Sequence, residues 1–351
     1  MLQKLENLRA KFDPLGIDAC LITGAISHRY FTGFDNPDAT LLVCQERAYA
    51  IEDFRYEEIA QTTLHGIYTV ISPKQGILSE LIAENKITSL GIENESLTLK
   101  EYERFKATLK VNLVSINDTI SSMREIKTPC ELEKIAIAQE ITDGAFAHIL
   151  KIITPQMTEN DVCAELEYYM RKHGAHDKSF ETIVVSGAKS SMPHGTPSDT
   201  RLKKGFLTMD FGALYDGYHA DMTRTICIDK ADDEMKKLYN TVLHAQKSAL
   251  EFLRDGVKCS DADKVARDII EKDYKGTFGH SLGHGVGLEI HEAPTLSSRC
   301  DKILVPGNVV TVEPGIYIKG KYGCRIEDLV IIKEGEIRNL TKSPKELIEI
   351  Y

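Results

Sequence analysis

The sequence predicts an α/β protein in two domains, the second folded as two similar halves around a shared sheet. Three observations carry this. The 351 residues, 42% of them apolar, suffice for two buried cores. Residues 1–122 alternate helical and strand patterns, whereas residues 123–351 run twice through one plan of helix, helix and strands. Thr128-Pro-Cys-Glu131 marks the junction as a helix start: Thr128 is placed to cap, Pro129 suits the first helical position, and Glu131 can close a capping box.

In chain order, the first domain reads as a helix over 2–12 and strands over 18–23, 39–44 and 47–51. A helix over 76–84, a strand over 89–93 and a helix over 98–108 follow, which implies a mixed sheet. The second domain opens with a helix over 129–152, along which Leu132, Ile135, Ala138, Ile141, Ala145, Ile149 and Ile152 recur every three to four residues. A shorter helix is capped by Thr158 and closed at Gly174, and strands occupy about 180–228. The plan repeats with a helix over 232–254, a shorter one capped by Ser260, and strands over about 277–332. A site at the junction of the halves would draw residues from both.

Composition excludes several function classes. Charged residues make up 27%, the formal net charge is −10, and basic residues are scattered, which argues against nucleic-acid binding. The opening MLQKLENLRAKFDPLGIDACLITG lacks an apolar export segment, and no run approaches the ~18 apolar residues of a membrane helix. The eight cysteines are dispersed without a CxxC pair, so they read as reduced thiols of a cytoplasmic protein.

Chemistry concentrates in three stretches. In MDFGALYDGYHADMTRT, 209–225, Asp216-Gly217 between two tyrosines is a two-residue hairpin signal. If Tyr215 pairs with Tyr218, Asp210 lies opposite Thr223, and Asp221 shares that face by alternation. Two carboxylates among Met209, Phe211, Ala220 and Met222 must share a proton, pair with a cationic side chain or bind a cation. The plainer reading is a turn at Asp216 with the other aspartates facing solvent. In VVTVEPGIYI, 309–318, Glu313 ends a β-branched strand. In GCRIEDLVII, 323–332, Glu327 sits inside an apolar strand with Arg325 on the same face, where the plainer reading is an ion pair at a sheet edge.

The third stretch, GHSLGHGVGLEIHE at 279–292, sets His280, His284 and His291 among glycines that suit neither a helix nor an ordinary strand. Asp210, Asp221, Glu313 and Glu327 with one imidazole make an oxygen-rich ligand set. Such a set suits two divalent cations bridged by carboxylates: manganese, with cobalt, iron or zinc possible. It does not suit a structural zinc. On this reading the glycines let the backbone approach the metals, and the spare histidines contact the reacting group.

Taken together, MDFGALYDGYHADMTRT, GHGVGLEIHEAP, TVEPGIYI and CRIEDLV resemble, in order and spacing, the pita-bread metallopeptidases of the aminopeptidase P and prolidase branch. SHRYFTGF (27–34) and DFRYEEIA (53–60) resemble the additional N-terminal domain of that branch. The resemblance implies a creatinase-like α/β domain over 1–122. Over 123–351 it implies a pita-bread domain, with pseudo-twofold helix-helix-strand repeats around a curved antiparallel sheet. It implies that Asp210, Asp221, His284, Glu313 and Glu327 hold two divalent metal ions per subunit. It places Thr223, Arg325 and Tyr317 beside the carboxylates, His194 of SMPHGTP in the substrate pocket, and His280 and His291 near the scissile carbonyl.

In the implied mechanism, two metals lower the pKa of a bridging water, His291 or His280 steadies the oxyanion, and Glu313 shuttles the proton. The expected substrate is a peptide with proline at its second position, and the expected assembly a homodimer. Some prolidases resembling this chain carry an arginine four residues after His291, where this sequence has Thr295. That departure favours an aminopeptidase over an Xaa-Pro dipeptidase. A methionine aminopeptidase, a metal-free creatinase-like hydrolase and a non-enzymatic binding protein fit less well.

Overall fold

The computed structural model describes residues 1–351. The chain divides into two compact units, Met1–Arg124 and Glu125–Tyr351.

The first unit is built on one six-stranded mixed sheet. Its central strand, Ala19–Ile22, runs antiparallel to Thr40–Cys44 and parallel to Ser89–Ile92. Leu21, Leu42, Leu90 and Ile92 anchor its core. The helix expected over 2–12 is two helices, Leu2–Arg9 and Phe12–Leu15. Pro14 explains the break: it has no N–H to offer the carbonyl four residues back. Helices Ala25–Thr32 and Glu57–Thr63 and the strand Asn112–Ser115 had no clear signal in the sequence.

The second unit carries the repeated plan. Helices Pro129–Ile152 and Glu159–Lys172 cover a sheet of Ile183–Ser186, Gly205–Phe211, Met222–Ile228 and Glu349–Ile350. Helices Asp233–Phe252 and Cys259–Asp273 accompany a sheet of Glu292–Leu296, Gly283–Gly285, Val309–Val312, Asp328–Ile332 and Ile337–Asn339. Each half has its own apolar core. Phe146, Val162 and Leu166 pack with Leu207 and Ile226 in the first half, and Leu238, Val242 and Ile270 pack with Val310 and Val330 in the second.

Thr128 and Thr158 cap their helices with full capping boxes. Ser260 does not cap: Lys258 holds that position, and the Ser260 N–H bonds instead to the Cys300 carbonyl at 3.0 Å. The strand expected across 323–332 is also interrupted. Tyr322–Arg325 pairs with Gly315–Ile318, Asp328–Ile332 pairs with Val309–Val312, and Glu327 lies in the bend between them.

Candidate metal centre

The Asp216-Gly217 hairpin forms in the register read from the sequence: Tyr215 pairs with Tyr218, and Asp210 with Thr223. Asp216 and Gly217 both take positive φ, 44° and 77°, as such a turn requires. Asp210 and Asp221 therefore come from the first half, buried. Glu313, just beyond the Val309–Val312 strand, and Glu327, in its bend, come from the second.

His284 sits in the Gly283–Gly285 strand, its N–H donated to Thr311 Oγ1 at 3.0 Å. The glycines around it serve the neighbouring backbone. A Cβ on Gly283 would lie 2.0 Å from the Thr311 carbonyl oxygen, and one on Gly285 would lie 2.4 Å from that of Ala293. Close packing of flanking backbone excludes a side chain there.

These residues converge on one cavity of about 530 Å³, lined also by Phe180, Ile183 and Ile290. Ligand atoms of Asp221, His284 and Glu327 lie within 4.8 Å of one another. His284 Nε2 stands 3.5 Å from Asp221 Oδ2 and 3.4 Å from Glu313 Oε1. Asp210 takes a hydrogen bond from Arg325 Nη2, and Glu327 Oε2 one from Thr223 Oγ1 at 2.7 Å. Arg325 also donates to Thr223 Oγ1 at 2.9 Å and to the Tyr317 hydroxyl at 2.7 Å. The Arg325–Glu327 ion pair of the plainer reading does not form: Arg325 pairs with Asp210 beside the other carboxylates, because the bend at Glu327 turns the two side chains to different neighbours.

Three features fit this set to cations. His284 Nδ1 faces the Gly285 carbonyl at 3.1 Å and so carries the ring proton. Burial depresses its pKa, and Nε2 faces the carboxyl groups of Asp221 and Glu313. That apposition is satisfied by a shared proton or by a cation between them. Second, the buried oxygens Asp210 Oδ1 and Glu327 Oε1 lack any hydrogen-bond donor. Third, burial raises the carboxyl pKa of Asp221 and Glu327 well above the usual range, reinforced by the neighbouring carboxylates, and pushes Glu313 up to about 8. Four acidic groups crowd around one arginine, an arrangement that bound divalent cations would relieve.

The remaining histidines divide. His291, exposed, packs its ring edge-on at 4.3 Å from His284, and His194 is exposed at the cavity wall. His280 is fully engaged. Its Nδ1 faces the Ser281 carbonyl at 2.9 Å and carries the proton, so its Nε2 accepts from the Tyr317 hydroxyl at 3.1 Å. Burial, with Arg325 nearby, lowers its pKa to about 4.

Sequence reasoning passed over Thr311, whose hydroxyl accepts from His284 and donates to Glu313 Oε1 at 3.2 Å. Its spacing of two residues from Glu313 on a strand was the available signal. It also passed over Glu159, buried, which accepts from Ser186 N, Lys189 Nζ and Ser198 Oγ at 2.9, 2.6 and 2.8 Å and so ties down both ends of the His194 loop.

Two sheet-and-helix halves closing on a buried, cation-demanding carboxylate cluster beside an open cleft define a metal-dependent hydrolase. The chain belongs to metallopeptidase family M24, in its prolidase and aminopeptidase P branch. Residues 133–334 match that family and residues 4–126 match the creatinase/prolidase N-terminal domain. It is 37% identical to an Xaa-Pro dipeptidase of Pyrococcus furiosus, across 99% of this chain and 100% of the relative. A solved Xaa-Pro dipeptidase from Bacillus anthracis superposes with a TM-score of 0.96 at 43% identity, covering 99% of each chain. An X-Pro aminopeptidase from Thermotoga maritima superposes at 0.90 with 38% identity, covering 97% of this chain and 100% of that one. No helix is long and apolar enough to cross a membrane.

Proposed function

We propose that this metallopeptidase is an Xaa-Pro dipeptidase, hydrolysing dipeptides whose second residue is proline. The observation that carries the hydrolytic part is His284 Nε2 facing Asp221 and Glu313 at 3.5 and 3.4 Å, a geometry suited to a bound cation. The dipeptide preference rests on likeness over nearly the whole chain to enzymes named Xaa-Pro dipeptidases. That likeness outweighs Thr295, on which the sequence alone favours an aminopeptidase. The aminopeptidase remains the second reading, supported by Thr295 at the cavity wall and by the Thermotoga maritima likeness.

Asp210, Asp221, His284, Glu313 and Glu327 would hold two divalent cations, with manganese the proposed pair. When bound, such ions supply Lewis acidity toward a carbonyl and lower the pKa of water. The protein residues do the rest. Arg325 offsets part of the carboxylate charge and holds Asp210 in place. Glu313 is the proton carrier: its carboxylate takes a proton from the attacking water and returns it to the departing proline nitrogen. His291 is positioned to steady the oxygen that gains charge, and His194 to meet the substrate at the cavity wall. Phe180, Ile183 and Ile290 give the cleft an apolar lining suited to a proline ring.

The test is hydrolysis of Ala-Pro, Ala-Pro-Ala and Met-Ala-Ser by metal-stripped protein with each metal restored in turn. Cleavage of Ala-Pro alone is the expected result. Equal or faster cleavage of the tripeptide before proline moves the assignment to the aminopeptidase. Cleavage of Met-Ala-Ser alone removes proline specificity altogether.

A further inference from the structure

Residues 277–282 lead into the His284 strand but themselves lie outside any strand. Buried backbone groups require partners. Here they come from one face of the Cys259–Asp273 helix. Asp263, buried, and Arg267, one turn later, form a bidentate pair, Nε to Oδ2 at 2.8 Å and Nη2 to Oδ1 at 2.9 Å. Arg267 then donates to the carbonyls of Phe278 and His280, each at 2.9 Å, while Asp263 Oδ1 accepts the Leu282 N–H at 3.0 Å. Residues 278, 280 and 282 alternate, so their backbone groups face one way, and the ion pair substitutes for a neighbouring strand. The guanidinium also lies 4.4 Å from the centre of the Phe278 ring.

We propose that Asp263 and Arg267 are positioning residues of the metal centre, acting through His280. With its backbone clamped, His280 accepts from the Tyr317 hydroxyl, whose oxygen accepts from Arg325, which in turn donates to Asp210. The helix that packs behind the second sheet thereby sets the aim of groups in the cleft. Lysine at 267 keeps the charge but loses the planar fork that grips Asp263 and two carbonyls together.

This inference rests on the peptidase reading, so the experiment separates the two. Manganese-loaded wild type, R267K, R267A, H280A and the R267A/H280A double variant are compared for kcat and KM on Ala-Pro. Hydrogen exchange of the same loaded proteins is followed over 277–285 and 315–318. R267A is expected to lower kcat about 10- to 100-fold with KM moved less than about threefold, R267K to fall between, and the double variant to lie within about threefold of the lower single. Exchange should rise over 277–285 and, through His280, over 315–318. Losses that multiply in the double variant, or a kcat for R267A within about threefold of wild type, overturn the proposal. If R267A does not fold, R267K with R267K/H280A carries the same comparison. If wild type leaves Ala-Pro intact, the peptidase reading fails separately and exchange decides: faster exchange over both segments supports the clamp, and an unchanged 315–318 overturns it.

Discussion

Arg325 is the single residue on which the charge balance of the cleft turns. It is buried, and burial opposes its charge, yet Tyr317, Asp210, Glu313 and Glu327 outweigh that cost and hold it protonated. Its three donor groups point in three directions, to Thr223, Tyr317 and Asp210. A lysine would supply the charge without the fork, so R325K should bind manganese about 10- to 100-fold more weakly, with a matching loss of kcat at subsaturating metal. Truncation is harsher: R325A strands Asp210 beside three other carboxylates and should cost the metal-free protein about 3–5 kcal/mol by denaturant titration. Wild-type metal affinity in R325K would remove the steering role assigned here. The sequence shows that a cation stands among the acids, but not which acid it grips. Strand alternation offered Glu327, and only the bend at 326–327 sends Arg325 to Asp210.

At the scale of elements, what is legible is what local chemistry decides. Thr128-Pro-Cys-Glu131 names its own helix start, and Asp216-Gly217 fixes a hairpin register that alone brings Asp210 and Thr223 opposite each other. The Ala25–Thr32 helix escapes notice because no side chain caps it and its sequence, AISHRYFT, is rich in aromatic and β-branched residues. Ser260 misleads for the opposite reason: a good capping residue is drawn into backbone pairing with Cys300. Asp263 and Arg267 read as an ordinary surface pair at i, i+4, and only tertiary packing turns that pair inward.

Glu159 is a similar case in the first half. It opens the Glu159–Lys172 helix, and its carboxylate receives hydrogen bonds from Ser186, Lys189 and Ser198 on either side of His194. E159A should therefore raise KM for Ala-Pro about 10-fold while kcat moves less than about threefold, since what loosens is the loop carrying His194, the histidine proposed to meet the substrate, and not the carboxylate cluster. A fall in kcat at constant KM would place the effect elsewhere.

On the whole-molecule scale, the cluster joins the two halves, because Asp210 and Asp221 belong to one and His284, Glu313 and Glu327 to the other. Without cations that junction is a liability whose sign can be worked out. Glu313 has a folded-state pKa of about 8 against an ordinary 4.5, and Asp221 and Glu327 are displaced the same way by burial and mutual repulsion. Between those limits the folded state binds more protons than the unfolded one, so stability falls as pH rises, by up to about 1.4 kcal/mol per pH unit for each such group. His280, lowered from 6.5 to about 4, works oppositely, but its contribution is complete above its unfolded value. From pH 6.5 to 8 the carboxyl groups therefore dominate. Cations require those same oxygens deprotonated, so their binding expels protons and restores the stability lost. The Tm difference between manganese-loaded and EDTA-treated protein should widen steadily from pH 6.5 to 8. Calorimetric titration with manganese in two buffers of different ionisation enthalpy should register proton release across the same interval. A difference that stays constant or narrows, with no protons released, would mean that these carboxyl groups do not meet at a cation site and that something else relieves their crowding.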